Sequence, residues 1–528
     1  TNPTDSDDLA VGGELTIGLT TLPDDWNPWL LDWSDLPQPI DALTARFFTT
    51  DADGDFLWNP DWLAAEPQVT SQVTPQGRSN GMTVRLRLNP AAVWGDGVPL
   101  GIDDFRATWQ ACLGRTDPLC HDRHFDQVTA IDQASSGEIV IVYAQGIADW
   151  PVTFARGPMR AQALPDWTDR LTSWPSAVGR MDAFSGAWTL AGASPSQIDL
   201  QVNPAWWGVA PALETIHFQL YAADDVTLAY VRGDLDALWI DDANVYSQLT
   251  ALKRGALRRG DGRRARLIEL NTAATTLSQG DVRRALWMAL DRADLAQADL
   301  AGLSWSTQLL NSPLWLPGQS LYRDLTKDAD QSIIEPLDQG LSQAGELLDD
   351  LGWSWPTGEH DQNSTEQLFR SRDGQELSLH LVYDPADPMA ENEAFALRRQ
   401  WLDLGVNLTI EAVDATSWQT KPATIDWDLR LVRLDHPSDL AVAKRYTTAA
   451  GSGYVSSAVD IYYQQAVSQL DDQRRAARLD RLAEAVWHDM PVIPLYVESA
   501  TLLAPSDLAN YGPSGLVSIQ WNLVGWAI

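Results

Sequence analysis

Residues 83–105 read TVRLRLNPAAVWGDGVPLGIDDF. Thr83 to Leu88 alternates side chains at period two, as a strand with one covered face requires. Trp94-Gly-Asp-Gly-Val-Pro-Leu100 follows, and its Gly, Asp and Pro are turn formers. Asp103 then stands where a helix N-cap is expected. Phe105, Trp109 and Cys112 come after it at spacings of four and three, which is one face of a helix. A strand, a tight turn and an amphipathic helix in succession predict α/β layers.

The same grammar extends both ways. Gly13 to Thr20 reads as a strand, leading into Leu22-Pro-Asp-Asp-Trp-Asn-Pro-Trp29, a loop of turn formers and aromatics. Asp51-Ala-Asp-Gly-Asp55 begins like a calcium loop, but Gly54 comes two positions early and Trp62 stands where the closing Glu belongs. A hairpin turn with Gly54 at its tip fits better. Glu138–Tyr143 is a predicted strand, and the loop-rich stretch to Gly186 marks a boundary. Strands are predicted at Gly186–Leu190 and Gln197–Val202, then a helix over Asp224–Val231 ended by Gly233 and a strand over Asp234–Ile240. Lys253 to Arg266 holds seven basic residues and reads as a solvated turn balancing an acidic surface. A strand over Arg266–Leu270 and a second boundary near Asn271 follow. Further helices are expected at Asp281–Ala296, Ala344–Leu351, Asn392–Leu404 and Asp471–His488. Strands are expected at Leu377–Tyr383, Val406–Val413 and Pro491–Val497.

Composition removes several functions. The chain has 528 residues, with 72 acidic against 37 basic and a formal charge of −35, which repels phosphate backbones and anionic lipid surfaces. Nucleic acid is therefore not an expected partner. Its length predicts more than one domain. No apolar run approaches the roughly eighteen residues of a spanning helix. The opening TNPTDSDD is polar and acidic, like a tether, and an export signal is expected to precede it. Only four of the 37 basic residues are lysines, a bias typical of GC-rich bacterial coding. No phosphate loop, dinucleotide fingerprint, nucleophile elbow or zinc-protease helix is present, so no enzyme and no cofactor are expected. A glycosidase is the enzyme class that acids and tryptophans would best suit. Cys112 and Cys120, the two cysteines, are expected to form a disulfide in an oxidising compartment. With His121 and His124 they match no zinc spacing.

The opening stretch resembles the most recognisable segment of the family 5 extracellular solute-binding proteins, the oligopeptide- and dipeptide-binding components of ABC importers. Further blocks resemble theirs in the same order: Gly186-Ala-Trp188, Asn203-Pro-Ala-Trp-Trp-Gly208, Gly233-Asp-Leu-Asp236, Asn271 with Asp281-Val-Arg-Arg-Ala-Leu286 and Leu290-Asp-Arg292, then Ala344–Trp353 and Met490-Pro-Val-Ile-Pro-Leu495. Most of these residues are scaffold: Trp94 and Asp96 organise a turn, Arg283 and Arg292 form helix-end pairs, and Asn203-Pro204 sets a loop. The resemblance implies a two-lobed periplasmic-binding-protein-like α/β fold (type II, cluster C) with an extra domain inserted in lobe I. Lobe I would comprise 10–48, 185–268 and 495–528, the extra domain 49–184, and lobe II 269–494. Two crossings between lobes imply a hinge that closes over ligand.

It also implies an exported monomer, lipid-anchored to the outer face of the cell membrane, that passes a peptide or other small solute to an ABC permease. Some actinobacterial lipoproteins of this fold are instead associated with assembly of cell-wall mannose glycolipids, which is the alternative. In peptide binders a lobe II carboxylate takes the ligand's ammonium, and here Asp435 is the first candidate and Asp439 the second. Arg433-Leu434 stands where the family has Gly-Trp. Trp418 corresponds to a pocket tryptophan ahead of the same strand. Trp26, Asn27 and Trp29 lie where lobe I loops would face the cleft, and Asn271 and Trp315 complete the candidate set.

Overall fold

The computed structural model describes residues 3–20, 22, 28–29, 38–51, 53–73, 79–113, 123–163, 181–240, 243–250, 254–299, 308–327, 340–356, 368–387, 389–414, 417–418, 425–435, 438–513 and 525–527. Trp26, Asn27 and Cys120 of the candidate set lie outside them.

A ten-stranded sheet runs through the molecule in the order Asn407–Ala412, Ser378–Tyr383, Leu429–Asp435, Ala256–Leu270, Val492–Ala504, Ala237–Trp239, Glu14–Leu19, Thr215–Leu220, Gln197–Val202 and Trp188–Ser194. Two of these strands are long, 15 and 13 residues, and pair antiparallel along their length. Leu15, Ile17, Ile198, Leu200, Ile216, Phe218, Leu502 and Ala504 belong to one hydrophobic core. Ala265–Leu270, Leu379, Leu381, Leu429, Leu431 and Val492–Val497 serve another. Each end of the long pair is therefore anchored in a different lobe.

Between the cores the long strands turn polar, with Asp261, Gly262, Arg263 and Arg264 on one and Glu498 and Ser499 on the other. The register slips there, between Asp261↔Ser499 and Ala265↔Val497. A Cβ on Gly262 would lie 2.8 Å from the Glu498 carbonyl oxygen, so the bulge depends on a residue without one. This corrects the expectation for Lys253–Arg266. From Ala256 the segment is strand, with Arg258 and Arg266 buried among partners that are remote in sequence.

A separate four-stranded antiparallel sheet, in the order Gln68–Val73, Ser79–Leu86, Ile139–Tyr143 and Val128–Gln133, packs with the helix Ile102–Cys112. That helix begins after Gly101, not at Asp103. Asp104 closes its first turn by accepting from Gly101 N at 3.0 Å, Trp94 Nε1 at 3.1 Å and Ala161 N at 2.8 Å. The carboxylate thus ties the aromatic turn to the helix.

The predicted helix Asp281–Ala296 is two helices, Gly280–Met288 and Arg292–Asp299. Arg283, in the first turn of the first helix, and Arg292, at the start of the second, are buried and donate to main-chain carbonyls, Arg283 to Leu277 and Met490 and Arg292 to Leu310 and Pro494. They bind backbone where the sequence suggested helix-end pairs. Asn203 donates to the Gly186 carbonyl at 2.8 Å and accepts from Ala205 N, setting its loop as expected.

Candidate functional site

The polar crossing of the long strands gathers charge. Strand Leu429–Asp435 lies against Arg264–Leu270, with Arg266 opposite Arg433 and Arg264 opposite Asp435. Arg263 donates to Asp435 at 2.8 Å. Arg433 forks onto Glu498 of the second long strand, with both nitrogens at 2.8 Å from its oxygens. Such a bidentate pair fixes the plane of the guanidinium as well as its position.

Beneath them Arg266, 1% exposed, is held by Glu393, Asp387 and Glu498, and Tyr496 donates to Glu393 at 2.6 Å. Burial works against the Arg266 charge, yet the Glu393 and Glu498 carboxylates hold its pKa well above the ordinary range. Burial likewise opposes the Glu498 charge, and Arg433 and Arg266 overcome it and keep the carboxyl low. A second cluster sits on the opposite face of the same strands. Glu269 takes Arg430 at 2.8 Å and also Arg445, and these two cations hold it ionised against burial. The Arg430 guanidinium lies 4.0 Å from the Trp418 ring centroid, and Trp418 meets Trp427 edge-on at 5.5 Å. Trp418 is half-buried.

Asp439 opens the helix Asp439–Lys444, whose N-cap Ser438 accepts from Ala441 N. Burial pushes the Asp439 carboxyl up to about 7, the Asp55 carboxylate adds to the shift, and Arg475 and the buried Trp315 indole pull the other way. Asp435, Arg433 and Trp418 are thus placed on or beside one strand, and Trp315 and Asp439 share one contact. Two candidates are not part of this arrangement. Trp29 is 2% exposed and packs under Arg123 and against Phe125 at 5.8 Å, so it is core and not a cleft wall. Asn271 stands at the far end of its strand from the bulge. Its amide donates to the Trp427 carbonyl and its oxygen accepts from Ala273 N, which is a loop-setting role. Sequence reasoning missed Arg263, Arg266 and Glu498. A dense run of arginines was the available signal, but their carboxylate partners are more than a hundred residues away.

A profile of the bacterial extracellular solute-binding proteins, family 5 (middle region), matches residues 62–453. The chain belongs to this family. Across 99% of its length it is 22% identical to the oligopeptide-binding protein OppA of Mycobacterium tuberculosis, covering 86% of that protein. Its fold superimposes on the periplasmic EDTA-binding protein EppA with a TM-score of 0.77 at 18% identity, covering 100% of this chain and 98% of the other. It also matches the oligopeptide-binding protein AppA of Bacillus subtilis, solved with a nonapeptide, at a TM-score of 0.73 and 16% identity, covering 99% and 100%. This family 5 member therefore has the two-lobed type II α/β fold. Among the described residues no helix is long and apolar enough to cross a membrane, and no cluster of His, Cys, Asp and Glu could hold a metal ion.

Proposed function

We propose that this family 5 protein works outside the cytoplasm, closes its lobes over an oligopeptide and delivers it to an ABC permease. The observation that carries the reading is the pair of long strands anchored in separate cores, with a register slip and a polar, charged middle between them. A slip at Gly262 lets the two ends rotate about a short segment, and this segment borders Asp435. Asp435 would take the ligand's ammonium, with Trp418 beside the same strand and Arg433 steering a carboxylate or main-chain oxygen. Similarity to an oligopeptide-binding relative over nearly the whole chain supports the ligand class.

Lobe I in this reading comprises 10–48, 185–268 and 495–528, the inserted domain 49–184, and lobe II 269–494. The protein would be a lipid-anchored monomer with a Cys112–Cys120 disulfide. Cys112 is buried at its helix end, where a disulfide would pin the following loop, and mass spectrometry of the unreduced chain would detect the pairing.

A second reading, a receptor for a non-peptide solute, draws on the ion pair that Asp435 already makes with Arg263. Thermal shift against a library of free and N-acetylated peptides tests the proposal. A rise in melting temperature with free peptides that Asp435→Ala abolishes is the expected result. No shift with any peptide would move the assignment to the second reading.

A further inference from the structure

The hairpin Phe48–Thr50 and Phe56–Trp58 of the inserted region carries its turn onto lobe II. Asp51 organises that turn by accepting from Asp53 N at 2.9 Å and Asp55 N at 3.0 Å. Gly54 takes φ +85° at the tip, and a Cβ there would lie 3.6 Å from both the Ser438 Cα and an Asp439 carboxylate oxygen. Asp53 accepts a hydrogen bond from Ser320 N, 267 residues away. Nearby, Ala148 N of the inserted region donates to the Val467 carbonyl of lobe II at 2.8 Å. The turn is therefore a contact between bodies that a hinge motion would separate.

This contact brings like charges together. Asp439 is faced by Asp55 and Asp53 from the hairpin and by Trp315 and Arg475 from lobe II. Arg475 supplies positive charge but is shared, since it also pairs with Asp472 at 2.8 Å. Asp55 in turn is raised by burial and by the Asp51 carboxylate, with Arg475 opposing and Asp472 and Asp53 adding to the shift. Asp439 is half-buried against the hairpin turn and Asp55 is exposed beside it, so the Asp439 carboxyl cannot ionise next to the hairpin's acids without cost, and a proton on it removes the repulsion.

We propose that the contact is a proton-operated clasp: protonation of the Asp55–Asp439 pair favours the closed arrangement of the inserted domain on lobe II, and deprotonation loosens it. The clasp rests on the hinge reading above but needs no assumption about the ligand. In the open form Asp439 regains water and loses Asp55, and its pKa returns towards 3.8. Closure then takes up a proton, so the closed form is favoured at low pH and the advantage falls as pH rises through about 7.

The other end of the same short helix carries a second titrating group. There Lys444 is faced by His124 and Asp149 of the inserted region, themselves 2.9 Å apart. Loss of the His124 proton leaves Asp149 facing Lys444 with less competition, so this end responds with the opposite sign. Replacing Asp439 separates the two.

The test is single-molecule FRET on the full, ligand-free chain, with dyes at the exposed positions Val98 and Leu341, between pH 5.5 and pH 8. The closed-to-open ratio should fall on the order of tenfold or more across that range. That fall should vanish in Asp439→Asn, leaving only the opposite-sign response of the His124 end, and it should shrink in Asp55→Asn, which lies on the other body and guards against a folding defect in the first variant. A wild-type ratio constant with pH, or a fall in both variants as large as that of the wild type, would overturn the clasp. Peptide binding could fail without affecting this result, and the clasp could fail while peptide binding stands.

Discussion

Arg263, at the polar middle of the first long strand, donates to Asp435 at the end of the neighbouring strand across 2.8 Å. The proposed ammonium acceptor is thus held in place by a guanidinium that competes for the same oxygens. Replacing Arg263 by Gln should strengthen binding of a free-amine peptide by up to about tenfold, or roughly 1.4 kcal/mol. An N-acetylated peptide should bind as before. Isothermal calorimetry of both peptides checks this, and an equal change for the two would show that Arg263 acts on something other than the ammonium site.

The buried network around Arg266 should be intolerant of partial removal. Glu393, 0% exposed, faces Arg266 and Tyr496. Glu393→Gln leaves the guanidinium with one fewer buried countercharge, and Glu393→Ala adds a cavity. Losses of about 3 kcal/mol or more are expected for the alanine variant, by analogy with other broken buried pairs. Urea unfolding monitored by tryptophan fluorescence measures them.

Gly262 should tolerate no side chain. A Cβ at 2.8 Å from the Glu498 carbonyl forces the long strands apart, and overpacking of this kind costs about 1–3 kcal/mol. Gly262→Val should lower the melting temperature and also slow or block closure. Gly137→Ala, at a hairpin tip with open space around it but φ +86°, should lower the melting temperature without touching closure.

The response of stability to acid follows from the depressed carboxylates. Glu269 and Glu498 titrate below their ordinary value of 4.5 because Arg430, Arg445 and Arg433 outweigh burial. Their contribution is complete above the unfolded value and is lost as pH falls through the lower, folded one. Unfolding free energy should therefore decline below about pH 4.5. The Asp439 term has the opposite sign, since its raised pKa favours the folded, closed form at low pH and is lost on the way up to about 7. A stability profile of Asp439→Asn should match the wild type at low pH, rise above it as pH climbs towards about 7, and keep a constant offset beyond.

Local order was largely readable along the chain. The turn at Asp51–Asp55 is a hairpin with Gly54 in a left-handed conformation, as the early glycine implied. Gly233 and Gly352 terminate their helices at φ +89° and +83°. The long-range partners of charged residues were not readable. Lys253–Arg266 looked like a solvated turn balancing an acidic surface because seven basic residues crowd one short segment, whereas Arg263 and Arg266 find partners at Asp435 and Glu393. Trp29 looked like a cleft wall from its loop, and packing against Phe125 made it core.

By itself the sequence determined the family and the order of its strands and helices, because periodicity, turn residues and motif order are local properties that the backbone reads within a few residues. Only the tertiary structure decided how the long strands join the two cores, which acids are neutralised and which helix start the Gly54 turn lies against. Those depend on Coulomb and desolvation energies between groups far apart in the chain, which are set by distance in space and not by position in sequence.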